Sequence, residues 1–286
     1  MIHVIIPTYN RLDYTISCIE SLKKQTNSKI LNIIIVDDAS TDNTCEYINK
    51  AYPEITLLNG NGFFFWGGAV NHGIEYVLKI SKPEDWILLV NNDVELSSNA
   101  ISKLVIESEK MNRKAVVGAL SVNCIDKKTV IKCGSIVTSW FFNITKHIYE
   151  NIHYDQISSS EPVQVDFITG RCLLHPVEIF KFTGNYDAKT FNHYGADDEF
   201  SMRIKKFGYS VLVCPSSIVF LKPNKKNDDH TKNLKNLYHT LFSIKSSSNI
   251  INKFWLTIKV VPFYSKLSFF MIGILKSLYL FIRRRL

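Results

Sequence analysis

Two apolar runs that end abruptly at carboxylates constrain this chain most. Trp86 to Val94 reads W-I-L-L-V-N-N-D-V, closing on Asn91, Asn92 and Asp93. Upstream, Ile33-Ile34-Ile35-Val36 runs straight into Asp37 and Asp38. A short continuous apolar run reads as a strand buried on both faces, the kind found in a parallel sheet covered by helices. Such sheets bind ligands at the carboxyl ends of their strands. Two acid-ended strands therefore predict a site for a nucleotide's base or ribose, or for a metal on its phosphates.

The surrounding pattern agrees. Val4–Pro7, Ile33–Asp37, Ile55–Leu58 and Trp86–Val90 read as strands, with helices at Tyr14–Lys24, Thr41–Ala51 and Gly68–Ile80 between them. This βαβ alternation predicts a doubly wound, mostly parallel α/β sheet. Asp42 or Ser40 is placed to cap the second helix. Ser97–Lys110 continues as helix and Ala115–Leu120 as strand. Residues 121–164 lose the periodicity and read as a hairpin-rich excursion. Order returns with a strand at Val163–Phe167, helices at Val177–Phe182 and Asp197–Phe207, a C-capping Gly208 and a strand at Val211–Cys214. The catalytic domain is thus expected over residues 1–222 and a helical extension over 223–286.

Charge divides at the same place. Residues 1–221 carry 21 Lys+Arg against 24 Asp+Glu, whereas 222–286 carry 13 against 2, with no acidic residue after Asp229. The basic extension therefore poses a separate partner question. Six scattered cysteines without a C-x-x-C, and a start that enters strand at once, predict neither disulfides nor a signal peptide, and hence the cytoplasm.

Four further segments carry chemistry. Pro7-Thr8-Tyr9-Asn10-Arg11 joins a strand to a helix, where backbone N–H groups suit a diphosphate or a base edge; an ordinary connecting loop is the other reading. Gly60 to Gly68 (G-N-G-F-F-F-W-G-G) reads as a flexible loop whose rings either pack on the core or make a sugar-stacking wall. Asp93 is either a metal ligand, since a metal bridging two phosphates needs only one or two carboxylates, or a turn-initiating acid. In His193-Tyr-Gly-Ala-Asp197-Asp198-Glu199, Glu199 and Arg203 pair four apart. Asp197 and Asp198 either serve the helix start or raise one another's pKa to make a general base.

Taken in order, P-T-Y-N-R, V-D-D-A-S-T-D, the block from Gly60 to Ile74, N-N-D-V, T-G-R-C-L-L at 169–174 and A-D-D-E-F-S-M-R at 196–203 resemble the family 2 inverting glycosyltransferases of GT-A fold. The flavour is that of bacterial rhamnosyl- and galactofuranosyl-transferase-like enzymes of surface polysaccharide synthesis. The resemblance implies a nucleotide-sugar donor (uridine or thymidine) along Pro7, Thr8, Asn10, Arg11, Asp37, Asp38, Trp66, Asn71, Asn92 and Asp93. It implies Mg²⁺ or Mn²⁺ on Asp93, Asp197 as catalytic base with Asp198 one register away, and Gly170, Arg171 and His193 near sugar or acceptor. The family's usual histidine after the last strand is missing. Either His230 substitutes for it, or the metal makes do with Asp93 and phosphates.

The extension ends in a 16-residue apolar run, 267–282, containing Lys276. It is short for a span of roughly 20 residues. Flanking lysines and abundant aromatics predict a helix in the headgroup region of the cytosolic membrane face, beside a lipid-linked acceptor. Docking on the catalytic domain, or homo-oligomerisation, are the alternatives. Nucleic acid is excluded as a partner, because the basic tail is too apolar and lacks a recognition motif. Two other functions stand beside the transferase: a sugar nucleotidyltransferase, which lacks its phosphate loop here, and an inactive nucleotide-sugar-binding membrane scaffold.

Overall fold

A computed structural model describes residues 1–26, 28–223 and 234–283. Strand and helix alternate through β1 (Ile2–Thr8), α1 (Leu12–Lys23), β2 (Leu31–Asp37), α2 (Thr44–Ala51), β3 (Thr56–Asn59), α3 (Phe65–Ile80) and β4 (Trp86–Val90). Then come β5 (Val94–Leu96), α4 (Ala100–Lys110), β6 (Ala115–Asn123), β7 (Gly134–Ser139), β8 (Ile144–His147), β9 (Val163–Gln164), β10 (Phe167–Ile168) and β11 (Cys172–Pro176). The chain closes with α5 (Ile179–Thr183), α6 (Ala196–Lys206), β12 (Ser210–Leu221), α7 (Leu234–Phe242), α8 (Ile250–Val260) and α9 (Lys266–Arg283).

The main sheet runs β3-β2-β1-β4-β11-β6-β12-β5, with β9 beside β12. β1 is parallel to β2 and to β4, while β11 lies antiparallel between β4 and β6. Period-two alternation sends side chains to both faces. Val4, Ile6, Ile35 and Leu88 join α1 and α4 on one side; Ile5, Ile34, Val36 and Leu89 join α3 on the other. Every residue of β4 is buried, as its unbroken apolar run requires. Packing is close at Gly73 of α3, where a Cβ would come within 2.5 Å of Ile5 Cγ2.

The irregular segment is indeed a hairpin: β7 and β8 pair antiparallel and, with β10, make a second small sheet. Three expectations need correction. The aromatic stretch is not a loop throughout, since α3 already starts at Phe65. Its start is fixed by Asp38, whose carboxylate accepts from the N–H groups of Gly62 (2.8 Å), Phe64 (3.2 Å) and Phe65 (3.0 Å). Val163–Phe167 is not one strand but two, β9 on the main sheet and β10 on the small one. The second helix begins at Thr44, because Asp42 accepts from the Thr44 N–H at 3.3 Å. Gly208 does follow α6 with φ +81°, and all six cysteines are free.

The extension docks on this body. Lys259 of α8 pairs with Asp187 at 2.9 Å, and Asn252 donates to the Tyr194 carbonyl at 3.1 Å. In the β7–β8 turn, Asn143 donates to the Phe269 carbonyl of α9 at 3.0 Å. Phe269 is buried beside Trp140. Away from the body, the turn between α8 and α9 and the start of α9 stay apolar and open: Phe263 is 90% exposed and Leu267 77%. Among the described residues no helix is long and apolar enough to cross a membrane.

Candidate active site

The carboxyl edge of β4 delivers Asp93, which is buried. One oxygen, Oδ2, accepts from Arg11 Nη1 at 3.3 Å; the other, Oδ1, is buried without a partner. Burial pushes the Asp93 carboxyl up, against the pull of Arg11 and Arg171. Arg171 stands between the two halves of the site. Its charge acts on Asp93 on one side and on Asp197 on the other, and its guanidinium donates to the Lys132 carbonyl.

Asp197 and Asp198 occupy the first turn of α6, whose N-cap Gly195 has φ +95° and supplies no side chain. Asp197 Oδ2 accepts from the Gly170 N–H at 3.1 Å. Both acids keep some accessible surface, yet protein surrounds them. Burial raises both carboxyls, and the Asp197 charge raises Asp198 further. Two adjacent carboxyls that resist ionising together are suited to hold one proton between them and to accept another group's proton. Glu199 is otherwise engaged, pairing with Arg203 at 2.9 Å as its spacing predicts.

A chain of contacts ties the halves. Asn91 receives the Trp66 indole N–H at 2.8 Å, and Trp66 lies over Gly170, where a Cβ would meet its Cζ2 at 2.5 Å. The Asn91 N–H donates to the Arg171 carbonyl at 2.8 Å. His193 is brought to the same place: burial lowers its pKa, as do Lys245 and Arg11, and its Nδ1 is buried without a partner. Thr8 Oγ1, at the end of β1, is a third buried orphan. Thr8 Oγ1, Asp93 Oδ1 and His193 Nδ1 thus leave hydrogen-bonding capacity in this region, alongside orphans elsewhere at Ser121, His147 and Ser265.

Other sequence candidates also make hydrogen bonds within the protein. Asp37 accepts from the Ser40 N–H at 2.9 Å and Asp38 from the three amides before α3. Asn10 accepts from the Thr41 N–H at 2.6 Å. The start of α1 is not free for phosphate, because Asp42 takes the Leu12 N–H at 3.0 Å. Asn71 exchanges two hydrogen bonds with the backbone of Tyr186, and buried Asn92 donates to Thr15 Oγ1 at 3.1 Å. Pro7 lies in β1, paired with Val36. His230 falls outside the described residues.

The donor set fits a single-carboxylate cation site. Asp93 Oδ1 is available, and among the described residues no cluster of three His, Cys, Asp or Glu surrounds a common point. A cation there would take its other ligands from phosphate and water, which Mg²⁺ tolerates. Two residues that no motif flags also reach the acids: Lys132, ahead of β7, and Lys253 of α8 both act on Asp198 by charge. For Lys253 the only signal in the sequence is the surplus of lysine over acid in the extension, and for Lys132 there is none.

Residues 3–181 match Glycosyl transferase family 2. The chain is 24% identical over 233 residues to the N-acetylglucosaminyl-diphospho-decaprenol L-rhamnosyltransferase of Mycobacterium tuberculosis, covering 76% of this chain and 74% of that one. It is 31% identical over 123 residues to the poly(ribitol-phosphate) beta-glucosyltransferase of Bacillus spizizenii, 42% of this chain and 19% of that one. For three further glycosyltransferase relatives, of Mycoplasma and Streptococcus, the match spans only 38% to 48% of their length. The crystal structure of GalNAc-T7 with UDP, GalNAc and Mn²⁺ superposes with TM-score 0.66 at 16% identity, covering 90% of this chain and 48% of that one.

Proposed function

The chain belongs to glycosyl transferase family 2 and has the fold of the GT-A enzymes, and on that premise we propose that it moves a sugar, with inversion, from a UDP- or dTDP-sugar to a hydroxyl of a surface glycan. The observation that carries this reading is the pairing of sites across Arg171: Asp93 with a buried, unpartnered oxygen on one side, the Asp197–Asp198 pair on the other. Thr8, Asp37 and Asp38 would line the base. Arg11 and Arg171 would lie along the diphosphate, Trp66 along the sugar and His193 beside it.

In this mechanism Asp197 accepts the proton of the acceptor hydroxyl as that oxygen forms its bond to the anomeric carbon. The bond from that carbon to the diphosphate oxygen breaks on the opposite face, and the electron pair leaves with the nucleoside diphosphate. Fixed positive charge from Arg11 and Arg171 meets the charge that develops there. Mg²⁺ or Mn²⁺ held on Asp93 would add Lewis-acid stabilisation of the same leaving group. Burial raises the base's carboxyl and so sets the pH at which it works.

The acceptor is proposed to be lipid-linked and the enzyme peripheral on the cytosolic membrane face. Support comes from the apolar outer face of α8 and α9, joined by exposed Phe141 and Phe142 in the β7–β8 turn that Asn143 and Lys276 fasten to α9.

The test is a thermal-shift screen of the whole protein against UDP- and dTDP-sugars with and without Mn²⁺, followed by donor hydrolysis. A metal-dependent shift for one nucleotide that vanishes in Asp93→Ala, with hydrolysis lost in Asp197→Asn, is expected. Folded protein that shifts with no nucleotide sugar would overturn the reading and favour the inactive scaffold.

A further inference from the structure

The Tyr14 ring stands between two cations. Arg11 Cζ lies 5.8 Å from its centroid and Lys222 Nζ 5.4 Å from it. Each cation has a carboxylate of its own: Arg11 Nη1 donates to Asp93 Oδ2 at 3.3 Å, and Lys222 pairs with Glu95 at 2.9 Å. Glu95 also accepts from the hydroxyl of Ser17, one turn along α1. An aromatic face attracts a cation, but two cations on one ring repel each other. The two carboxylates offset that repulsion, so Asp93, Arg11, Tyr14, Lys222 and Glu95 form a chain of alternating charge with the ring at its centre.

The ring itself is fixed. Its hydroxyl donates to the Pro223 carbonyl at 2.9 Å, just beyond β12. The neighbouring Lys222 N–H donates to the Asp93 carbonyl at 2.8 Å. On the other side, Thr15 holds the Arg11 carbonyl with its N–H and its hydroxyl, each at 2.9 Å. The start of α1, the end of β12 and the turn after β4 therefore meet around Tyr14.

The Arg11 side chain is held less firmly. It is 39% exposed, and of its five N–H donors one has an acceptor among the described residues. Holding a long, half-exposed side chain in one rotamer costs entropy. A charge that meets a developing negative charge must nevertheless be in place beforehand. In the transferase reading Asp93 also serves a cation on the diphosphate, and the ring is then the neighbour that keeps the guanidinium in position.

Resting on the transferase reading, we propose that Tyr14 is a positioning residue: its ring holds the Arg11 guanidinium toward the donor's diphosphate, while Lys222, neutralised by Glu95, and the Pro223 carbonyl hold the ring. In this role Tyr14 acts through Arg11 and not on the donor.

The experiment is calorimetric titration of the full chain, in excess Mn²⁺, with UDP and dTDP, and with uridine and thymidine read by competition against them. Only the diphosphates carry the group that Arg11 meets. Tyr14→Leu should weaken diphosphate binding about two- to fivefold, the worth of one half-exposed cation–ring contact, and leave nucleoside binding unchanged. Tyr14→Phe, which keeps the ring, should restore the affinity. In an Arg11→Met background Tyr14→Leu should cost nothing further, because the contact is already gone. Tyr14→Met, also without a ring, takes the place of Tyr14→Leu if that variant does not fold. Equal losses for UDP and uridine would make Tyr14 a support of the loop and overturn the proposal. An equal loss in Tyr14→Phe and Tyr14→Leu, or a full further loss in the Arg11→Met background, would also overturn it; these results leave the transferase reading standing. Wild-type protein that binds neither diphosphate would overturn the transferase reading, and this proposal with it.

Discussion

Among the described residues Asp198 makes no side-chain hydrogen bond in building α6, and it titrates as one of a pair with Asp197. Both carboxyls of the pair are raised by burial, and Asp197 raises Asp198 by like charge. The general base must be ionised, so the rate of donor hydrolysis should fall as pH drops, with its acid limb above the ordinary carboxylate range of about 4. Asp197 ionises while Asp198 still holds its proton, so Asp198→Asn should leave that limb in place and remove the second titration above it. A pH–rate profile of both variants checks this: activity kept in Asp197→Asn and lost in Asp198→Asn would exchange the two roles. Linkage has the same sign. Because the folded values are raised, the pair lowers stability at neutral pH, where the unfolded chain ionises freely, and that cost disappears as pH falls below the unfolded values.

At the scale of elements, the loop before β11 and the start of α3 act as one piece, since Trp66 fills the space that a side chain at Gly170 would need. Gly170→Ala should force Trp66 off Asn91, cost roughly 1–3 kcal/mol in urea unfolding and lower kcat for donor hydrolysis. Unchanged stability and rate would show that the indole is not held there. β1, β2 and β4 were legible because each is a local apolar run, and β2 and β4 also have acids at their ends. β11 was not, because five residues that include His175 and Pro176 look like a strand only beside β4 and β6. The start of α3 was hidden for a similar reason: its capping acid, Asp38, lies 27 residues before Phe65. Asp93, Arg171 and Asp197 could be named from motifs. Lys132 and Lys253 could not, because only the folded hairpin and extension bring them together.

For the whole molecule, the extension is both docked and open. Its inner face is fixed by Lys259–Asp187 and Asn143–Phe269, while Phe263, Tyr264 and Leu267 point to solvent. The full chain should therefore co-sediment with phosphatidylglycerol vesicles, less so in high salt. The Phe263→Asp, Leu267→Asp double variant should weaken binding by more than about tenfold, given the transfer energy of two large side chains. Binding unaffected by the double variant would place the contact elsewhere. The seam between β4 and β11 carries a different consequence. Asn91 and Arg171 are joined by a sheet hydrogen bond, so the strand that presents Asp93 and the loop that meets Asp197 share one rigid frame. The gap between leaving group and base is then a fixed gauge, cut once when the sheet forms. Acceptors of different size must be accommodated at the rim, and new specificities should be sought by exchanging the rim's helices and hairpin while the gauge is left alone.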